Sequence, residues 1–258
     1  MCMFDLTGKV ALITGGNSGI GMGMAEGLLQ QGCEVAIWGT NAAKNDAALE
    51  KLSAYGPKVT ARVCDVTDAA AVESAFAQAV KDHGRIDGCF ANAGYGLQKT
   101  RFDEFPDEEW HRVLDINLNG AFYVFRCAAK HMRERALAGD PFGRLVGTSS
   151  LAAVAGQPRG QHYAASKGGL NAMIRSLAVE YAKHGVTAHS IMPGFVESAL
   201  TKENYDPQAF TEKVMPRIPA RRMGQGSDFA AIAAYIMSDA SSWHTGQDFV
   251  IDGGYWIF

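Results

Sequence analysis

The chain has 258 residues, 47% of them hydrophobic, enough for a sizeable core and within the range that α/β units reach as one domain. Its 24 Lys and Arg against 27 Asp and Glu give a formal net charge of -3, so no basic surplus points to nucleic acid or an anionic membrane. No apolar run reaches membrane-spanning length and "MCMFDLTGKV" lacks the basic-then-apolar order of a leader, so a soluble cytoplasmic protein is expected.

From Lys9 short β-rich runs alternate with longer alanine-rich amphipathic stretches, the pattern of repeated βα units on a parallel sheet. In chain order the spacing predicts strand "KVALIT", helix "IGMGMAEGLLQQ", strand "EVAIW", helix "AAKNDAALEKLSA", strand "VTARVC" and helix "DAAAVESAFAQAVKDH". Strand "RIDGCFA" follows, then one long helix over "EEWHRVLDINLNGAFYVFRCAAKHMRER" and strand "GRLVGTS". Helix "YAASKGGLNAMIRSLAVEYAKH", strand "GVTAHSIM", helix "SDFAAIAAYIMSD" and strand "DFVID" complete the series. The whole chain, 1–258, thus reads as one α/β domain with a doubly wound sheet of seven parallel strands flanked by helices.

A long irregular stretch from Pro193 to about Gly226, with room for a short helix, follows the sixth strand's carboxyl end, where open α/β sheets bind ligands. It reads as a substrate lid over about 194–226. Cys2, Cys33, Cys64, Cys89 and Cys127 are odd in number, widely spaced and set in apolar runs, which fits reduced thiols and no metal cluster.

"TGGNSGIG", Thr14 to Gly21, lies between the first strand and the first helix. A tight turn there uses glycine's freedom in φ, and a pyrophosphate can rest on the helix's unpaired N–H groups at its positive dipole end. Gly15, Asn17, Ser18, Gly19, Ile20 and Gly21 are therefore candidate nucleotide-binding residues. In "QHYAASKGGL", Tyr163 and Lys167 stand at i and i+4, so a phenol and an ammonium share one helix face. A cation ~4 Å from the phenol is worth ~1 kcal/mol in bulk water but ~4 kcal/mol at an effective dielectric near 20. At 1.36 kcal/mol per pKa unit, a phenol of ordinary pKa ~10 becomes a usable base only in a cleft that excludes water.

The spacing Gly15-x-x-x-Gly19-x-Gly21 resembles the short-chain dehydrogenase/reductase family, and the resemblance recurs along almost the whole chain. Asp65 and Val66 in "CDV" follow the third strand, where the family sets an acid against adenine. Asn92, Ala93 and Gly94 in "ANAG" match the family's NNAG except at Ala91. Asn117 in "DINLNG" matches the family's helix asparagine, and Ser150 precedes Tyr163 by thirteen residues, the family's interval. Pro193 and Gly194 match the motif after the sixth strand, Val196 is a further candidate cofactor contact, and Ser198 stands where the family usually sets a threonine against the nicotinamide amide.

The resemblance implies a Rossmann-type fold, NAD(P)(H) as cofactor and hydride exchange with a secondary alcohol or ketone. Tyr163 would give or take the hydroxyl proton, Ser150 would stabilise charge on the same oxygen, and Lys167 would lower the phenol's pKa and hold the ribose. Asn117 would fix a relaying water. Cofactor choice turns on the end of the second strand, where Gly39 replaces the acid of NAD-preferring members and Thr40 the arginine of many NADP-preferring ones. With no carboxylate to repel a 2′-phosphate, and with Thr40, Asn41 and Lys44 near, the balance leans to NADP(H).

Tyr95, Leu151, Ala152, Phe195 and Leu200 are candidate substrate contacts, and Phe195, Leu200, Tyr205, Phe210, Val214 and Met215 make the lid apolar. That favours a medium-sized ketone with a hydrophobic substituent, although the same side chains could anchor the lid instead. The family also implies a homotetramer, with the apolar end "GGYWIF" at a subunit interface. Three rivals differ in class. A hydrolase lacks its G-x-S-x-G elbow because Leu151 stands at the last glycine. A dehalogenase-like lyase would have lost the glycines and Lys167, and a non-catalytic dinucleotide-binding scaffold would lack part of the Asn117, Ser150, Tyr163, Lys167 set.

Overall fold

The computed structural model describes residues 3–96, 100–198, 201 and 206–258. Seven strands, β1 (Val10–Thr14), β2 (Glu34–Gly39), β3 (Val59–Val63), β4 (Gly88–Ala91), β5 (Gly143–Thr148), β6 (Val186–Pro193) and β7 (Asp248–Ile251), form one sheet. Their order is β3-β2-β1-β4-β5-β6-β7 and every pairing is parallel. All seven expected strands are present, β4 starting later than "RIDGCFA" suggested. The direction of winding reverses between β1 and β4, which opens a crevice at their carboxyl ends.

Helices α1 (Gly19–Gln30), α2 (Ala42–Ser53), α3 (Ala69–His83), α4 (Asp107–Leu114), α5 (Gly120–Leu137), α6 (Gln161–Tyr181), α7 (Pro207–Lys213) and α8 (Ala230–Met237) cover the two faces. Leu12, Trp38, Phe76, Phe125, Leu145 and Ile174 pack under α3, α5 and α6. Ile13, Met24, Leu28, Phe90, Phe229 and Ile236 form the second core under α1, α2 and α8. Strands buried on both faces need apolar side chains in both alternating sets, and β1, β4, β5 and β6 are buried at every position. Caps fix the helix starts: Asn41 accepts from Lys44 N, and Asp68 from Ala70 N and Ala71 N.

The helix expected over 108–135 is divided. Between α4 and α5, Asp115–Asn119 forms a π-helical turn, with one residue more per turn than the flanking helices allow. That extra residue rotates Asn117 off the exposed face, and it is only 1% exposed. "DINLN" is poor in strong helix formers, so the regular i→i+4 ladder yields there to tertiary contacts.

The 194–226 stretch contains the short helix α7 and is clasped at its base: Gly224 N donates to Phe195 O and Glu197 N to Gly224 O, both at 2.9 Å. Just beyond, α1 meets the start of α8 backbone to backbone. A Cβ on Gly23 would overlap the Gly226 carbonyl, and one on Gly27 would lie 2.6 Å from Ala230 Cα. Among the described residues no helix is long and apolar enough to cross a membrane. Cys33, Cys64 and Cys89 are free and buried, and burial pushes the Cys64 thiol up to about 11.

Candidate active site

A groove of about 960 Å³ runs across the carboxyl ends of β1, β2, β3, β4 and β5. Its floor at one end is the glycine loop, where Gly15 and Gly19 have φ of 64° and 54° and no L side chain would sit without strain. Thr14 and Asn92 hold this end rigid. Thr14 Oγ1 accepts from Asn92 N at 3.0 Å and Ala93 N at 2.9 Å. Asn92 Nδ2 donates to the carbonyls of Thr14 and Gly15, while its Oδ1 accepts from Thr148 Oγ1. One amide thus ties the ends of β1, β4 and β5.

Of the expected nucleotide residues, Gly15, Asn17, Ser18, Gly19, Ile20, Thr40, Asp65 and Val66 line the groove. Asn92, Ala93, Gly94, Tyr163, Lys167, Pro193, Gly194, Val196 and Ser198 line it as well. Gly21 does not: its place is a packing contact, where a Cβ would lie 2.6 Å from Asn92 Nδ2 and overlap the Gly15 carbonyl. A dinucleotide fits the cradle physically, since its length needs a continuous groove and its phosphates need backbone free of Cβ atoms. Gly94 meets the same demand beside Lys167 Nζ, which a Cβ there would approach to 3.4 Å. Asn41 and Lys44, expected near a phosphate, line the groove too, and so do residues not singled out from sequence, among them Trp38, His111 and Arg112.

At the other end α6 presents Tyr163 and Lys167 one turn apart. Lys167 is 3% exposed, its Nζ donates to Thr148 O at 2.7 Å and lies 5.6 Å from the Tyr163 ring centroid. Burial pushes its ammonium down to about 8. Ser150, at the end of β5, faces the same space and accepts from Ala152 N at 3.1 Å. The Asn117 side chain is buried and tied to the backbone after β4 and to α6. Its Nδ2 donates to Tyr95 O at 2.8 Å and Ser166 Oγ at 3.0 Å, and its Oδ1 accepts from Tyr95 N at 2.8 Å. Ser166, fully buried, donates in turn to Tyr163 O at 2.7 Å. Asn117 therefore fixes the first turn of α6 against the segment after β4.

A smaller pocket of about 170 Å³ adjoins Ser150 and Tyr163. Leu151, Ala152 and Phe195 line it as expected, but Tyr95 does not. Asn117 pins the Tyr95 backbone from both sides, and Arg112 sits 4.3 Å over the Tyr95 ring, so this ring borders the larger groove. Leu200 and Tyr205 lie outside the described residues. Sequence reading missed Gln157, Thr201 and Tyr255, which also line the pocket. Tyr255 is carried in by the turn at Gly253 and Gly254, with φ of 65° and 90°, and packs edge-on to Phe195 at 5.1 Å. Those two glycines before an aromatic residue were the signal available.

Comparison with known proteins agrees with this geometry. A family model described as enoyl-(acyl carrier protein) reductase matches residues 15–256. Gluconate 5-dehydrogenase of Gluconobacter oxydans is 32% identical over 252 residues, covering 98% of this chain and 96% of the relative. Among solved structures, NADPH-dependent 3-quinuclidinone reductase from Rhodotorula rubra superposes with a TM-score of 0.90 at 30% identity, over 99% of this chain and 94% of that one. NAD+-bound xylitol dehydrogenase gives 0.89 at 30% identity, over 96% and 99%. With the parallel sheet, the glycine-floored groove and Ser150, Tyr163 and Lys167 at one end of it, the chain belongs to the short-chain dehydrogenase/reductase family and is an NAD(P)-dependent oxidoreductase.

Proposed function

We propose that the chain interconverts a compact secondary alcohol and its ketone, with Tyr163 as general acid and base. The observation that carries this reading is the meeting of the long groove and the small pocket at Ser150 and Tyr163, which both cavities share. When bound, the nicotinamide supplies or accepts the hydride. Tyr163 delivers a proton to the carbonyl oxygen during reduction and removes it during oxidation. Ser150 Oγ donates to the same oxygen and stabilises the charge that develops on it. Lys167 remains charged below about pH 8 and makes the Tyr163 proton easier to lose. Asn117 acts as a positioning residue through Tyr95 and Ser166.

The pocket walls of Leu151, Ala152, Ala155, Phe195 and Tyr255 support an apolar substituent, and Gln157 and Thr201 add hydrogen-bonding groups. Among the described lining residues there is no Lys or Arg to pair with a carboxylate. The segment 194–226 is read as the pocket's lid and the whole chain as one domain. A panel of ketones and alcohols, followed by nicotinamide absorbance with both cofactors, is the test. Cyclic and branched neutral ketones are expected to outperform 5-ketogluconate in kcat/KM, and the reverse order sinks the substrate reading.

The missing acid at Gly39 supports a lean to NADP(H), with the two cofactors differing modestly. A preference for NADH beyond roughly 1000-fold, over ~4 kcal/mol, contradicts that lean. The family and the exposed Phe122, Val179, Trp256, Ile257 and Phe258 support a cytoplasmic homotetramer. Light scattering is expected to give four chains per particle, and a monomer at micromolar concentration counts against it.

A further inference from the structure

The end of β2 explains the absent acid. Asn45, on the first turns of α2 and 2% exposed, donates through Nδ2 to Gly39 O at 3.0 Å and Arg62 O at 3.1 Å. Its Oδ1 accepts from Asn17 Nδ2 at 2.7 Å, so a buried amide holds a groove-lining amide in place. The Asn17 side chain lies where a side chain at position 39 would begin. A Cβ on Gly39 would overlap Asn17 Nδ2 and fall 2.7 Å from Asn45 Oδ1 and 2.9 Å from Asn17 Cγ.

Position 39 is thus glycine because Asn17 takes its room, and Asn17 lies at the strand end where this fold reads the adenosine ribose. An Asp at 39 would chelate the ribose diol and repel a 2′-phosphate; an uncharged amide accepts from or donates to a hydroxyl and repels nothing. Thr40 and Lys44 line the same stretch of groove and can donate to a phosphate. We propose that Asn17, held by Asn45, reads the 2′ position of the cofactor, and that Asn17 and Gly39 form a coupled pair that makes the site tolerant of both NADH and NADPH. The proposal rests on the family's NAD(P) binding and adds the residues that set its breadth.

The test compares wild type, Gly39→Asp, Asn17→Gly, the double variant Asn17→Gly/Gly39→Asp, and Asn17→Asp. Dissociation constants for NADH and NADPH are measured by fluorescence titration, with Tm for each protein. Gly39→Asp alone is expected to lower Tm without gaining NADH affinity. The double variant is expected to favour NADH by roughly 100-fold, more than the product of the single effects, because neighbouring sites couple. Asn17→Asp is expected to weaken NADPH at least tenfold more than NADH by charge repulsion, and this outcome stands even where Gly39→Asp fails to fold. Additive effects in the cycle, or Asn17→Asp weakening both cofactors equally, overturn the proposal while leaving the NAD(P) reading intact. No binding of either cofactor by wild type would instead remove that reading and the proposal together.

Discussion

Tyr163→Phe is expected to cut turnover roughly 10²- to 10⁴-fold, the range over which a positioned general acid–base acts. Cofactor dissociation constants should be unchanged in the same protein, because the substitution removes one hydroxyl and leaves the ring that lines the groove. The two measurements together separate chemistry from binding. Loss of both points to a collapsed α6, and retention of near-normal turnover removes Tyr163 from the reaction. Burial around Lys167 explains why the hydroxyl matters so much here. The ammonium is desolvated, bonded to Thr148 O and held beside the phenol, so its field acts through little water. Below about pH 8 the cation is present and stabilises phenolate; above it that help is withdrawn.

The largest loss of stability is expected at Gly23. Changing glycine to alanine inside a helix ordinarily gains ~1 kcal/mol from propensity. Here the new Cβ would lie within the Gly226 carbonyl group, and backbone faces it on both sides, so neither partner can swing away as a flexible side chain could. Overpacking of this kind costs ~1–3 kcal/mol, occasionally more, so Gly23→Ala is expected to be a net destabiliser and Gly23→Val a worse one. Gly168→Ala on α6 is the control, since its Cβ would meet nothing closer than Ala153 O at 3.8 Å. The same chemical change should therefore stabilise at 168, by up to ~1 kcal/mol, and destabilise at 23. Denaturant midpoints of the two variants read the contrast, and equal midpoints would show that α1 can shift away from Gly226.

Much of this molecule is legible in its sequence because the relevant information is local. β1 and β4, buried at every position, write themselves as the short, largely apolar runs "VALIT" and "GCFA", and "TGGNSGIG" and Tyr163-x-x-x-Lys167 hold their geometry within one turn or one helix. The rest depends on meetings between distant segments. Asn17 and Asn45 are 28 residues apart, and only the folded β2 end brings them together over Gly39. Tyr255 reaches the pocket from the far side of β7, and Tyr95 is turned towards the groove by contacts with Asn117 and Arg112. No periodicity encodes such contacts. The contacts of Asn117 were illegible for the same reason: its helix is regular in pattern and irregular in fact.

That irregularity sets what the chain can tolerate in length. In a π turn the helix holds one residue beyond regular register, and each residue of an α-helix advances the phase by ~100°. Asn117 points inward because of that phase, so substitutions on the exposed side of α4 and α5 leave it where it is. A one-residue deletion between Asp107 and Leu137 does not. There the turn is expected to relax to regular α-helix and Asn117 to swing out of reach of Ser166, releasing the start of α6 and the tyrosine it carries. In this stretch, counting residues constrains the catalytic end of the groove more tightly than choosing them.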